Sequence, residues 1–429
     1  MYTLFKYFLF FQMAVISSYL IRFEFFSLKT NMLDVLLCIH ILFLFFFLFA
    51  YKNTKKEEII QNIQQNIFFY GGSFLLFTGL FLSALGGGIQ STEWGIIKSW
   101  FILPFLFSFL FFLVNTKKRI FLEALQWYGM GAFGVAVFAL GGEIFLDKGV
   151  TYDLRLRGWF ESPNHLAMIL SPAFLFFWIQ FRCKIFFKTS IFTSRILLCI
   201  LGILGVVILL TKSHGAILSL IVTLSFIECF FRISTTKSNF FLLCTKYKKY
   251  FLGILISVLF LGGGSFFVWE QFSQKEAFQE QSSFASRIVI WRVAWNISID
   301  HWFFGIGPGN FQEKYLEYQI YYPPYPEWAV PQSHNIFLAF WLQTGLLGFL
   351  GFILLFFSSM YRAGKSILYL QKKEKKSSLM LALFGFSFCI VTLLWGMVDT
   401  LYWKNDLSLL FWFIIFSILW NQVVYTRRN

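Results

Sequence analysis

Five histidines occur in the 429 residues of this chain. One of them, His334, stands in "VPQSHNIFLAFWLQTGLLGFL", at the mouth of a long apolar run. Imidazole is the side chain whose ordinary pKa lets it take or give a proton near neutral pH. Such a residue at the end of a membrane helix either caps the helix or faces a polar cavity. Gly345 and Gly348 follow in the same run, and small residues let a helix approach its neighbour closely. Eleven residues are close to three turns, so an unbroken helix would put His334 and Gly345 on one face, about 16 Å apart.

Arginines form the second group. "RLRG" supplies Arg155 and Arg157, and a later segment supplies Arg287 and Arg292. A guanidinium fork matches phosphate oxygens, so several arginines near aromatic residues suggest a diphosphate site. The alternative for any one of them is a side chain reaching to lipid phosphate. "TKSHG" places Lys212 and His214 at a tight turn, for which a polar connection between two helices is the better reading. "GIGPGN" at 305–310 resembles a phosphate cradle, but no strand precedes it and a plain turn is the better reading. The carboxylates Asp153, Glu161, Asp300 and Glu313 are scattered, and Asp399 and Asp406 flank a short turn and read as interfacial. No Asp-x-Asp occurs in the chain. Clustered oxygen ligands for a divalent ion are therefore missing, and neither a metal nor a cofactor is expected.

The elements that must position these residues are membrane helices. Hydrophobic residues make up 58% and charged residues 13% of the chain, against about 45–50% and about 25% in soluble domains. Twelve candidate spans lie near 4–22, 32–51, 67–86, 97–114, 121–145, 164–181, 196–211, 215–231, 251–268, 335–359, 378–399 and 407–424. Each matches a hydrocarbon core about 30 Å thick. With the N-terminus inside, the inner segments hold 24 of the 36 Lys and Arg, the positive-inside pattern. The net charge of +15 thus reports orientation and contact with anionic lipid, and nucleic acid is excluded as the partner. The expectation is an all-α polytopic integral membrane protein of about twelve transmembrane helices, with both termini cytoplasmic. The first span reads as a membrane helix rather than a cleavable signal, since no small-residue cleavage site follows it.

One outer segment, 269–334, is far longer than the rest. It is rich in Trp, Tyr and Phe, which argues for order, and short interfacial helices are expected in it. Over 285–300, Ile288, Trp291, Trp295 and Ile299 are spaced as one apolar helical face. The chain divides into an N-terminal bundle at 1–150, a core at 151–360 containing that loop, and C-terminal helices at 361–429. The six cysteines show no metal or disulfide spacing.

These motifs resemble the O-antigen ligase superfamily, which includes O-antigen ligases, O-antigen polymerases and bacterial protein O-oligosaccharyltransferases. His334 and Gly345 match its His-x10-Gly pattern. Arg287 matches Arg-x3-Leu in part, with Trp291 where Leu is usual. "FGIGPGNF" is similar to the family's loop, and "RGWFESPNHLA" at 157–167 is similar to its G-x-F-x-x-P-N-x-x-A segment, which gives Asn164 a structural role. His214 stands where the family has an arginine. The resemblance implies transfer of a glycan from undecaprenyl diphosphate to a hydroxyl acceptor (lipid A-core, glycan or protein) on the periplasmic face of a bacterial inner membrane. It implies inversion at the anomeric carbon and no metal. His334 would be the base, and Arg287 would stabilise the leaving diphosphate with Arg155 and Arg157, assisted by Arg292, Lys212 and His214. A transporter of the same lipid would carry charges in mid-span. Asp34, Glu123, Glu143 and Glu228 lie near span ends instead. A membrane protein with a purely structural loop is the third reading.

Overall fold

The computed structural model describes residues 2–25, 28–50, 63–87, 91–114, 118–146, 149–151, 153–187, 192–235, 283–323, 330–372 and 376–426. Long apolar stretches fold as helices because a helix satisfies its own backbone hydrogen bonds, which lipid cannot do. In order they are α1 Tyr2–Ala14, α2 Met32–Ala50, α3 Ile67–Gly87, α4 Ser91–Ile96, α5 Leu103–Val114, α6 Lys118–Leu146, α7 Pro163–Phe187, α8 Ser194–Leu210 and α9 His214–Thr235. Beyond them come α10 Ser283–Asp300, α11 Phe311–Gln319, α12 Ile336–Lys372, α13 Lys376–Gly396 and α14 Asn405–Thr426. A π-helical turn, Ile97–Ile102, joins α4 to α5. Among the described residues, which are mostly helical, seven helical stretches are long and apolar enough to cross a membrane, as a polytopic α-helical membrane protein requires. Shorter apolar helices occupy Met32–Phe46, Ser194–Leu210 and Asn405–Leu419. The expected span at 251–268 lies outside the described residues. One element not anticipated is a hairpin of β1 Arg22–Phe25 and β2 Leu28–Asn31, with Arg22 opposite Asn31.

The core runs along α13 and α14. From Leu407 to Leu419 every residue of α14 is buried, as expected for a helix apolar on all sides. Its rings interlock with α5: Phe105 meets Trp412 edge-on at 4.9 Å, and Phe107 stacks on Phe413 at 6.3 Å. Beside this core, α12 lies along α3 with glycine against glycine. A Cβ at Gly79 would strike the backbone of Gly348, and one at Gly351 would strike that of Leu76. Gly348 therefore sits at a close helix crossing of the kind small residues permit.

Gly345 behaves differently. It has φ 65° and ψ −175° inside α12 and divides that helix in two. This conformation is essentially restricted to glycine. The shared face inferred for His334 and Gly345 is therefore incorrect: His334 precedes the helix, and the helix bends at Gly345. The bend admits the "GIGPGN" loop. Ile306 N donates to Leu342 O at 2.6 Å, and Leu346 N donates to Phe303 O at 2.9 Å.

Between α9 and α12, α10 and α11 pack on each other around Ile290, Val293, Ile297, Phe311 and Tyr315. The apolar stripe read from the sequence is not the face they share. Ile288 of that stripe is buried, but Trp295 and Ile299 are about half exposed, and the buried face is rotated toward Ile290, Val293 and Ile297. Helical spacing named one apolar face here, and packing against α11 covers another.

Candidate active site

Helix ends converge on one carboxylate. Asp399 lies in the turn between α13 and α14 and is 3% exposed. Its Oδ1 is 3.2 Å from His334 Nδ1 and accepts the Thr400 backbone N–H at 2.9 Å. Its Oδ2 accepts from Asn164 Nδ2 at 2.9 Å and lies 3.7 Å from Arg287 Nη2. Burial alone would push this carboxyl up; the hydrogen bond and charge of His334, with Arg287, overcome that and hold it below the ordinary aspartate value. A buried carboxylate needs such partners to stay ionised.

Each partner is placed by its own element. Asn164 follows Pro163 at the start of α7, and Pro is well suited to a first helical turn. The Asn164 Oδ1 accepts from Arg155 Nη2 at 2.8 Å, and Arg155 Nε donates to Thr211 O at the end of α8, 3.0 Å. One chain of contacts thus runs Arg155, Asn164, Asp399, His334, with Arg287 entering from α10.

His334 does not cap α12. Asn335 does, its Oδ1 accepting from Phe337 N at 3.0 Å and Leu338 N at 3.1 Å. The cap leaves the imidazole free to turn to Asp399. His334 itself has φ 48°, an uncommon conformation for a residue with a side chain. Trp291 fixes it from α10, its indole Nε1 donating to the His334 carbonyl at 3.1 Å. Trp291 is the residue that departs from the Arg-x3-Leu pattern, and an indole makes a bond that a leucine has no donor for. The His334 side chain is 29% exposed, so it is reachable from outside the network.

Other sequence candidates stand apart from Asp399. Arg157 is exposed and Arg292 half-buried, and neither guanidinium has a hydrogen-bond or ion-pair partner among the described residues. Five residues separate Arg292 from Arg287 on α10, which turns it about 140° away. Lys212 Nζ donates to Asp153 O at 3.3 Å rather than joining the network. His214 is exposed at the start of α9, where Gly215 abuts Trp395 and Val398 at the end of α13. The "GIGPGN" amides are already spent, Gly307 N on Ser83 Oγ and Gly309 N on Gln343 Oε1, both at 3.0 Å. That loop is a structural turn and does not cradle an anion.

Asp399 reads as interfacial in the sequence, and the structure instead buries it at the centre of the network. Its surroundings come from 65 to 235 residues away, and only its place at a helix end hinted at them. Among the described residues no three His, Cys, Asp or Glu are grouped as metal ligands. What the arrangement offers chemically is an imidazole oriented by a carboxylate, with cationic groups on either side.

No curated protein matches the chain. Residues 197–353 match the family model described as O-antigen ligase. The matched segment contains His214, Arg287, Arg292, His334, Gly345 and Gly348, whereas Arg155, Asn164 and Asp399 lie outside it. This match supports membership of the chain in the O-antigen ligase superfamily.

Proposed function

We propose that the chain transfers a glycan from undecaprenyl diphosphate to a hydroxyl acceptor at the periplasmic face of a bacterial inner membrane. In this reading the chain crosses the membrane about twelve times. The superfamily supports glycosyl transfer of the ligase or polymerase type in a membrane. The observation that carries the specific reading is the His334–Asp399 pair. With Nδ1–H donated to Asp399, His334 Nε2 carries a free lone pair, the arrangement that orients a general base. The acceptor hydroxyl gives its proton to Nε2, and its oxygen attacks the anomeric carbon. The bond from that carbon to the diphosphate oxygen breaks on the opposite face, so configuration inverts. The electron pair leaves on the diphosphate, whose charge the guanidinium groups stabilise. Arg287 and Arg155 border the network, and Arg157 and Arg292 supply unpaired cations. Asn164, Gly345 and Gly348 hold the framework. Lys212 and His214, at the turn that opens α9, would assist with the diphosphate from the edge of the site.

No step calls for a metal ion, because the diphosphate is already a good leaving group. The acceptor is a lipid A-core, another glycan or a protein hydroxyl, which names the enzyme a ligase, a polymerase or an oligosaccharyltransferase. The test uses the purified chain in nanodiscs with a lipid-linked glycan, each acceptor in turn, and EDTA. Glycan transfer to one acceptor with an inverted linkage is expected. Export of the intact lipid-linked glycan without transfer contradicts the proposal, and so does a strict need for added Mg²⁺ or Mn²⁺.

A further inference from the structure

A crevice of about 170 Å³ lies between α6 and the loop residues Gly149, Gly158, Trp159 and Phe160. Val135, Phe138 and Gly142 form one wall, spaced along a single face of α6. Gly158, Trp159 and Phe160 form the other. The loop keeps this distance because it is tied to itself: Arg157 N and Gly158 N both donate to Gly149 O, at 2.7 and 2.9 Å. Gly158 has φ +58°, and a Cβ there would lie 3.1 Å from the Ala139 Cβ. Phe138 and Trp159 pair at 4.7 Å at the rim, 63% and 52% exposed.

The walls are apolar side chains and glycine, so a sugar hydroxyl would find few partners there. An apolar cavity of about 150 Å³ stays dry and accepts hydrocarbon such as benzene. The same loop also carries charge. Arg157, with no partner among the described residues, immediately precedes the Gly158 wall. Two residues earlier, Arg155 reaches Asn164 and through it Asp399. A hydrocarbon crevice, an unpaired guanidinium and the candidate active site thus follow one another along one short loop.

We propose that this crevice holds the isoprenoid units of the donor nearest its diphosphate, with Arg157 binding the diphosphate. The inference rests on the polyprenyl diphosphate reading given above. In such a donor the hydrocarbon joins the diphosphate directly, without a glycerol between them. A chain lodged beside Trp159 therefore keeps its head group near Arg157 and on the way to the Asp399 network. A phospholipid acyl chain is the competing occupant.

The test places the photoreactive p-benzoylphenylalanine at Phe138 in the full chain, in phosphatidylethanolamine nanodiscs with undecaprenyl diphosphate. Mass spectrometry is expected to find a polyprenyl diphosphate adduct, weakened by Arg157→Ala. In parallel, Gly142→Leu fills the crevice with a residue that suits a helix. Its affinity for undecaprenyl diphosphate should fall about tenfold, with melting temperature unchanged. Adducts with phospholipid alone, or unchanged affinity in Gly142→Leu, overturn the proposal. A chain that binds undecaprenyl diphosphate in the crevice yet transfers no glycan instead overturns the proposed function and leaves the crevice assignment standing.

Discussion

His334 Nδ1 lies 3.2 Å from Asp399 Oδ1, joining the start of α12 to the turn between α13 and α14. The contact uses one ring nitrogen and leaves the other, Nε2, outside the pair. It also leaves the carboxylate fully engaged, with Thr400, Asn164 and Arg287 on its remaining positions. The consequences for substitutions follow from that division of labour.

Asp399→Asn keeps the size of the side chain but removes its charge. It should lower transfer about 10²- to 10⁴-fold, as expected when an imidazole loses the carboxylate that fixes its tautomer. Stability gives a second readout. The folded-state pKa of Asp399 is depressed, so its ionised form stabilises the fold above the unfolded value of about 3.9. That contribution is lost as pH falls through the folded value. Melting curves should therefore separate wild type from Asp399→Asn at pH 7 and converge well below pH 4. A constant gap at both pH values would show that the charge of Asp399 is not what matters.

Arg287→Ala should weaken binding of the lipid diphosphate by about 1.5–3 kcal/mol, the worth of a charged hydrogen bond. It also strips Asp399 of a cation at 3.7 Å. Arg287→Lys should restore binding only in part, because the two-pronged contact with phosphate is lost. Titration of the purified variants with undecaprenyl diphosphate checks both. Equal affinity in wild type and the alanine variant would return Arg287 to a purely structural partner of Asp399.

Gly345→Ala places a side chain at φ 65°, ψ −175° and against the Phe303 carbonyl oxygen. The conformation alone costs about 1–3 kcal/mol. The melting temperature should fall, and transfer should fall with it, because the bend seats the loop that follows α10. Gly348→Ala meets Thr344 and the close α3 crossing instead, so it should destabilise without shifting the 303–309 loop. Proteolytic nicking of that loop distinguishes the two. Equal protection in both variants would contradict the separate roles.

Much of the architecture is legible in the sequence because lipid allows few solutions. Apolar runs become helices, and among the described residues seven helical stretches are long and apolar enough to cross a membrane; the predicted span at 251–268 lies outside those residues. His334, Arg287, Arg155 and Asn164 were identifiable by residue type and motif, and the structure brings all four to one network. Asp399 was not, since an acidic residue at a helix end looks interfacial until Asn164, 235 residues earlier, is seen to bond it. The bend at Gly345 was missed for a local reason. The residues around it continue one long apolar run, and only the incoming Phe303 and Ile306 backbone compensates for the break. On α10 the spacing pointed to the face of Trp291, Trp295 and Ile299, whereas α11 covers the one carrying Ile290, Val293 and Ile297, which are apolar as well.

The most direct measurement of the central claim is the transfer rate per folded molecule for His334→Gln. Glutamine keeps a polar side chain of similar reach and can still contact Asp399, but it cannot take a proton. Asn335, not His334, caps α12, so the variant should fold, reach the membrane and bind the lipid-linked glycan. Its transfer should fall about 10²- to 10⁴-fold, the contribution of a general base. His334→Ala should behave alike. Near-normal turnover in His334→Gln would contradict the assignment of His334 as the base and move that role to another group, with His214 the first to examine.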